Sequence, residues 1–319
     1  MNRRNFLQST TAVGLTLASS FSMAQSIFSN SKKEQKMQAI TLNTGAKMPI
    51  IGFGVWQLDD LKICQKATEE ALELGYRHID TAQAYFNEEA VGSAIKNSGI
   101  KRDELFITTK LWISHANEKD AIAAFEKSMK KLGLDYLDLY LIHQPYSDTY
   151  GAWRAMSRLH KEGRIKSIGI SNFVSDRVVD FCMNNEITPA VNQIGINPFH
   201  AQFDAQKIND EYKIVTQAWS PFGNGNANLF ANETLKKIAQ NHGKSVAQVV
   251  LRWLVQRNIC TFPKTTKKSH MAENLAIFDF ALSNDEMQQI ATLDGTGGAF
   301  HNPAHPDSAK RLIGWKADF

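Results

Sequence analysis

Two hydrophobic periods alternate along this chain. Short apolar runs rich in β-branched residues, at positions 53–55, 78–80, 105–110, 137–143, 165–171, 191–194, 214–218 and 259–263, predict eight strands. Between them lie longer stretches, such as 63–74, 118–132, 150–162, 174–184 and 245–256, whose apolar residues recur every three or four positions and predict helices with one buried stripe. Gly75, Gly133 and Gly163 each close one of these stretches, where a helix calls for a left-handed residue at its end. Ahead of the alternation, 40–42 and 48–50 flank Asn43-Thr44-Gly45 and predict a β-hairpin.

Eight strands with intervening helices fit either a closed parallel barrel or an open doubly wound sheet. An open nucleotide-binding sheet carries G-x-G-x-x-G at its first strand-to-helix turn. The segment Gly52-Phe53-Gly54-Val55-Trp56-Gln57 lacks the third glycine, and no helical pattern opens there. The expectation is an α/β fold, a (β/α)8 TIM barrel with an N-terminal β-hairpin, spanning 38–319 as one domain; barrels reach such lengths undivided.

The segment before the barrel differs in kind. Arg3 and Arg4 precede Phe6, Leu7, an Ala/Ser/Thr-rich run and Ser22-Met23-Ala24. That order matches a bacterial twin-arginine export signal over 1–24, followed by a flexible lead-in over 25–37. The run is too short and polar for a permanent membrane anchor. A periplasmic or otherwise exported enzyme is expected, with the export machinery as a partner, and a cytoplasmic one if the signal is silent.

This segment also changes the charge balance. It holds Arg3, Arg4, Lys32, Lys33 and Lys36 against Glu34, and the chain's 36 basic and 32 acidic residues, less these, are 31 of each sign. The body is therefore neutral and lacks the basic face of a nucleic-acid binder. Cys64, Cys182 and Cys260 are odd in number and widely spaced, so buried, inert thiols are expected rather than a disulfide framework. His301 and His305 lie among Asn302, Pro303 and Pro306 and predict a loop, not a metal-binding helix face.

Residues able to do chemistry gather at the ends of the predicted strands: Asp80, Lys110, His143, Ser171 with Asn172, Gln193, Trp219 with Ser220, and Lys264. Any one of them could be a helix cap or a satisfied core group. Together they point to a site, because a barrel brings all its carboxyl-end residues to one face. Four segments, GYRHIDTAQAYFNEEAVGSAI (75–95), 134–145 with LYLIHQP, SIGISNF (167–173) and FPKTTKKSHMAEN (262–274), resemble the aldo-keto reductases. The resemblance runs from the hairpin to the C-terminus. It implies a barrel that binds NADP(H), acts on a small-molecule carbonyl substrate and is a monomer; tolerance of NAD(H) is expected from His270, which stands where the family commonly has an arginine.

The residues also make a mechanism. Carbonyl reduction needs a proton donor opposite the hydride, and the Tyr85 phenol can serve if its ordinary value of about 10 is brought toward neutrality. The Lys110 ammonium is expected to lower it, with Asp80 holding Lys110 in place. His143 would orient the carbonyl through a ring N–H. The resemblance gives these same four residues the catalytic roles. It further implies Ser171, Asn172 and Gln193 at the nicotinamide carboxamide, Trp219 stacked on that ring, and Ser220 and Phe222 at the pyrophosphate. Lys264 and Thr265 are implied at the 2′-phosphate, and Glu273 and Asn274 at the adenine.

Some positions depart from the family pattern. His270 stands where an arginine is common, a weaker and pH-dependent cation. Gly195 and Asn197 replace a usual glutamate and histidine, and Gln144 a usual tryptophan. Expected pocket walls are Trp56, Phe86, Trp112 and Phe300, which suit small or flat carbonyl compounds. Other readings are an exported enzyme with retained NADP(H) acting on sugar-like substrates, a cofactor-sensing binding protein, and a Schiff-base enzyme using Lys110. The intact tetrad argues against the last two.

Overall fold

A computed structural model of the protein describes residues 38–298, 300 and 302–315. The export signal, the lead-in and His301 lie outside the described residues. The hairpin pairs β1 (Ala39–Thr41) with β2 (Lys47–Pro49), placing Ile40 opposite Met48. Eight strands follow: β3 (Phe53–Gly54), β4 (His78–Asp80), β5 (Phe106–Leu111), β6 (Leu137–Ile142), β7 (Ile165–Ser171), β8 (Val191–Gly195), β9 (Val215–Trp219) and β10 (Cys260–Thr261). They form one parallel sheet in chain order. Its two edges meet, since the Gly52 N–H donates to the Thr261 carbonyl at 2.9 Å and the Thr261 N–H to the Ile50 carbonyl at 3.1 Å. That seam makes the sheet a closed barrel, the alternative favoured by the missing third glycine.

Closure gives each strand an inner and an outer face, sorted by the two-residue pleat. Gln193 on β8 bonds Asp80 on β4, four strands away, which only inward-facing side chains can do. His78, Asp80, Thr108 and Lys110 therefore point inward, whereas Thr109 faces out and donates to Glu88 of the surrounding helix Glu88–Ser98 at 2.6 Å. At the amino end of the barrel, His78 Nε2 meets Thr108 Oγ1 at 3.0 Å between the rings of Phe106 and Phe262. The hairpin covers this end: Thr44 bonds Ser167 at 2.8 Å and Asn43 donates to the Pro189 carbonyl at 3.0 Å.

The helices begin and end where the sequence chemistry directs. Asp60 Oδ1 accepts from the Lys62 and Ile63 N–H groups at 2.8 and 3.0 Å, so the first helix starts at Leu61, two residues before its predicted start. Gly75, Gly133 and Gly163 adopt φ of +106°, +66° and +77°, as a left-handed helix end requires. Gly92 has a different purpose, because a Cβ there would lie 2.5 Å from the Leu132 carbonyl oxygen of the neighbouring helix Asp120–Leu132. Among the described residues, no helix is long and apolar enough to cross a membrane.

Candidate active site

The carboxyl ends of β4 and β5 bring Asp80 and Lys110 together. Lys110 is fully buried, and its Nζ reaches Asp80 Oδ1 at 2.6 Å, the Thr81 carbonyl at 2.9 Å and Tyr85 Oη at 3.3 Å. Tyr85 sits on a 3-10 turn, Gln83–Tyr85, directly after β4. That turn is fixed from both sides. Thr81 Oγ1 donates to Asn87 Oδ1 at 2.8 Å, and Asn87 Nδ2 to the Val55 carbonyl at 2.9 Å. Gln83 accepts from the Trp112 N–H at 2.9 Å and donates to the Ala124 carbonyl at 2.9 Å. His143, following β6, presents its ring edge-to-face to Tyr85 at 5.7 Å and to Trp112 at 5.1 Å. All four sequence-predicted catalytic residues thus meet at one point.

The electrostatics refine the expectation for the proton donor. Burial pulls the Lys110 ammonium down, but Asp80 and then Tyr85 outweigh it, so Lys110 is held above its ordinary value and stays charged. Burial pushes Tyr85 up, Lys110 opposes it, and the Asp80 charge adds to burial. The net direction is upward, which corrects the expected lowered phenol. The physical reason is the burial of the phenol, which outweighs the Lys110 ammonium 3.3 Å away, with the Asp80 charge adding to it.

Burial and then the Lys110 charge hold His143 well below the ordinary imidazole value, so it is neutral. Its Nδ1 is buried and has no hydrogen-bond partner among the described residues. A proton on Nδ1 would have no acceptor, so the neutral tautomer carries it on Nε2 as a donor for substrate.

The remaining strand ends assemble a second group. Gln193 Nε2 donates to Asp80 Oδ2 at 2.8 Å and to Gln217 Oε1 at 2.9 Å. Gln217 in turn donates to Met48 Sδ at 2.9 Å. Ser171 Oγ donates to the Gln193 carbonyl at 2.8 Å, Asn172 Nδ2 to the His143 carbonyl at 3.1 Å, and Trp219 Nε1 to Asn172 Oδ1 at 2.9 Å. Ser220 opens a loop: its Oγ accepts from the Asn224 N–H at 2.7 Å and donates to Asn224 Oδ1. The half-buried Phe222 ring packs on Phe230 and against the core. Lys264 and His270 are exposed, Thr265 and Glu273 half-buried, and Asn274 buried beside Tyr76.

Of the expected pocket walls, Phe86 and Trp112 converge on Trp315, at ring distances of 6.0 and 5.1 Å, next to His143. Trp56, just beyond β3, is 44% exposed, and Phe300 stacks on Trp219. Sequence reasoning missed Thr81, Gln83, Gln217 and Trp315. The first three look like ordinary polar positions until the barrel closes, whereas Trp315, a lone tryptophan after an amphipathic stretch, was a readable signal. Cys64 and Cys260 are buried and Cys182 half-buried, and burial pushes all three thiols up, Cys64 and Cys182 to about 11, so they stay protonated. Among the described residues, no group of three or more His, Cys, Asp or Glu is placed to hold a metal ion.

A barrel with this carboxyl-end constellation is the architecture of one enzyme family, and the chain belongs to it: the aldo/keto reductase family model matches residues 50–294. Among curated relatives, a glyoxal reductase of Bacillus subtilis is 43% identical over 268 residues, 83% of this chain and 95% of that one. The methylglyoxal reductase DkgA of Escherichia coli is 43% identical over 259 residues, 80% and 93% of the two chains. A solved structure of a Bombyx mori aldo-keto reductase in complex with NADP superposes with a TM-score of 0.78 at 34% identity, covering 85% of this chain and 96% of that one.

Proposed function

We propose that the protein is an NADPH-dependent oxidoreductase that reduces aldehyde and ketone groups of small molecules to alcohols. The observation that carries this reading is the fully buried Lys110, paired with Asp80 at 2.6 Å and bonded to Tyr85 Oη at 3.3 Å beside a neutral His143.

The residues around it fit an anionic dinucleotide. Ser220, Gly223, Asn224 and Gly225 have φ of +54°, +59°, +60° and +80°, a tight run of bends closed by the Gly223, Asn224 and Gly225 N–H groups bonding to Ser220 and Phe222. Beside it, Asn197 Nδ2 is buried and has no partner among the described residues, a donor suited to an anion. Lys264, Lys267 and His270, around the start of the helix Lys268–Leu275, have no acidic partner among the described residues. Ser171, Asn172 and Gln193 would hold the carboxamide, Trp219 the nicotinamide ring, and the loop opened by Ser220 and Phe222 the pyrophosphate. Lys264, Thr265, His270, Glu273 and Asn274 would hold the phosphorylated adenosine.

Bound NADPH supplies the hydride to the carbonyl carbon. Tyr85 donates its proton to the carbonyl oxygen, and the Lys110 ammonium stabilises the charge this leaves on the phenol oxygen. Asp80 keeps Lys110 charged and fixed. His143 Nε2–H orients the carbonyl. Tyr85 then recovers its proton from solvent.

The names of the curated relatives and the ring cluster of Phe86, Trp112 and Trp315 support small dicarbonyl compounds of the glyoxal and methylglyoxal kind as the substrate class. The test is NADPH oxidation by the full chain with a panel of aldehydes, ketones and 2-oxoaldehydes, compared with Tyr85→Phe. The variant should lose roughly 10²–10⁴-fold in turnover while still binding NADPH. Equal turnover in both proteins, or a wild-type protein that does not bind NADPH, would reject the reading.

The order of Arg3-Arg4, apolar run and Ser22-Met23-Ala24 supports export through the twin-arginine route. Replacing both arginines by lysine in a bacterial host should retain the protein in the cytoplasm. A distribution unchanged by that replacement would remove the assignment.

A further inference from the structure

The C-terminal strap carries a feature that the assignments above leave unused. Its backbone is pinned to the loop after β8: the Gly295 N–H donates to the Phe199 carbonyl at 2.9 Å, His200 Nε2 to the Gly298 carbonyl at 3.2 Å, and the Ala201 N–H to Asp294 Oδ1 at 2.8 Å. This delivers Phe300 between two rings. It stacks on His200 at 4.7 Å with an interplanar angle of 25°, and on Trp219 at 5.3 Å with 22°.

The three-ring stack exists because position 195 has no side chain. Gly195 ends β8 in register with Trp219, and a Cβ there would lie 2.5 Å from Phe300 Cε1 and 2.8 Å from Trp219 Cζ2 and Cη2. Real Cβ atoms do not come so close. The indole is thus held at its edge by Asn172, which accepts from Nε1 at 2.9 Å, and on one face by Phe300. Asn172 also donates to the His143 carbonyl at 3.1 Å, so the same link runs from the strap to the loop that carries the catalytic imidazole.

We propose that Phe300, admitted by Gly195, is a positioning residue that fixes the plane of the Trp219 indole and through it the nicotinamide ring relative to His143 and Tyr85. This rests on the reading that Trp219 meets the nicotinamide. A ring held at its edge alone can tilt about its own bonds. A ring held at edge and face presents one plane to its ligand, and hydride transfer is sensitive to small misplacements of the reacting carbons.

The experiment measures the NADPH Kd by fluorescence, steady-state kcat and KM, and the primary isotope effect with NADPH deuterated at the transferred hydrogen. It compares the full-length wild type with Trp219→Ala, Phe300→Ala, Phe300→Tyr and Gly195→Ala. Phe300→Ala should weaken NADPH binding about threefold to tenfold, the worth of one aromatic pair. It should also lower kcat and enlarge the isotope effect without moving the melting temperature. Phe300→Tyr should restore all three quantities. Gly195→Ala should reproduce the loss with Phe300 still present, which guards against an effect confined to the truncated side chain.

A Phe300→Ala protein with the wild-type Kd and isotope effect overturns the proposal. If Trp219→Ala weakens NADPH and Phe300→Ala does not, the stack alone is refuted. If Trp219→Ala leaves NADPH affinity intact, the placement of Trp219 on the nicotinamide is refuted, and the proposal with it.

Discussion

The Lys110–Asp80 pair offers a sharp test of how the site is held. At 2.6 Å, and with the effective dielectric that suits protein sites, the mutual attraction is roughly 6 kcal/mol. Taking each ion out of water costs several kcal/mol, so the pair contributes little net stability, whereas half a pair is strongly unfavourable. Lys110→Met keeps the length of the side chain and leaves the Asp80 carboxylate with the Gln193 amide at 2.8 Å. Asp80→Asn leaves a buried ammonium with the Thr81 carbonyl and the Tyr85 phenol. Each single change should cost about 3–5 kcal/mol, a fall in melting temperature on the order of 10 °C. The double variant removes both charges and should recover more than half of the summed loss. Calorimetry or circular dichroism on the full chain reads the stability, and NADPH oxidation reads activity, which should be lost in all three variants. Additive destabilisation would mean that the two groups do not act as a buried pair.

Other consequences follow from the same geometry. His78, held by burial at about 3, binds no proton in the folded state near pH 5, whereas the unfolded chain does; burial lowers His143 in the same direction. A depressed histidine contributes stability above pH ~6.5 that is lost as pH falls, about 2 kcal/mol for His78 between pH 6.5 and 5. His78→Gln should flatten that part of the melting-temperature profile, and an unaltered slope would contradict it. Gly92→Ala should destabilise by about 1–3 kcal/mol because its Cβ meets the Leu132 carbonyl at 2.5 Å. A gain of about 1 kcal/mol, usual for alanine in a helix, would show that the contact is not tight. Lys264→Ala should raise the NADPH Kd about tenfold and leave the NADH Kd unchanged, the worth of one charged hydrogen bond. Better turnover with NADH than with NADPH in the wild-type protein would remove the assignment of Lys264 to the 2′-phosphate.

The order and type of the barrel elements were legible because each buried face imposes its period on the sequence. His78–Asp80 and Ile165–Ser171 match their predicted strands to the residue. The last strand does not: 259–263 was expected, and only Cys260–Thr261 pairs, since Pro263 has no N–H to give. That Asp80, Tyr85, Lys110 and His143 come together was legible because they sit in compact motifs at strand ends. What escaped was the sign of the Tyr85 shift, which depends on how deeply the closed barrel buries the phenol against the Lys110 ammonium at 3.3 Å, and no residue spacing encodes that burial. Gln217 escaped for a related reason. It lies outside those motifs, and its partners are far away in sequence, Gln193 on one side and Met48 on the other.

Met48 gives the hairpin a meaning beyond covering one end of the barrel. From its sulfur, hydrogen bonds run through the amides of Gln217 and Gln193 to the Asp80 carboxylate that carries Lys110. An engineer who replaced the hairpin with another plug, or who reopened the chain there to make new termini, would be cutting one end of a hydrogen-bonded chain whose other end is Lys110. Hairpin and strand-end face are thus one connected structure rather than a cover laid over a finished barrel.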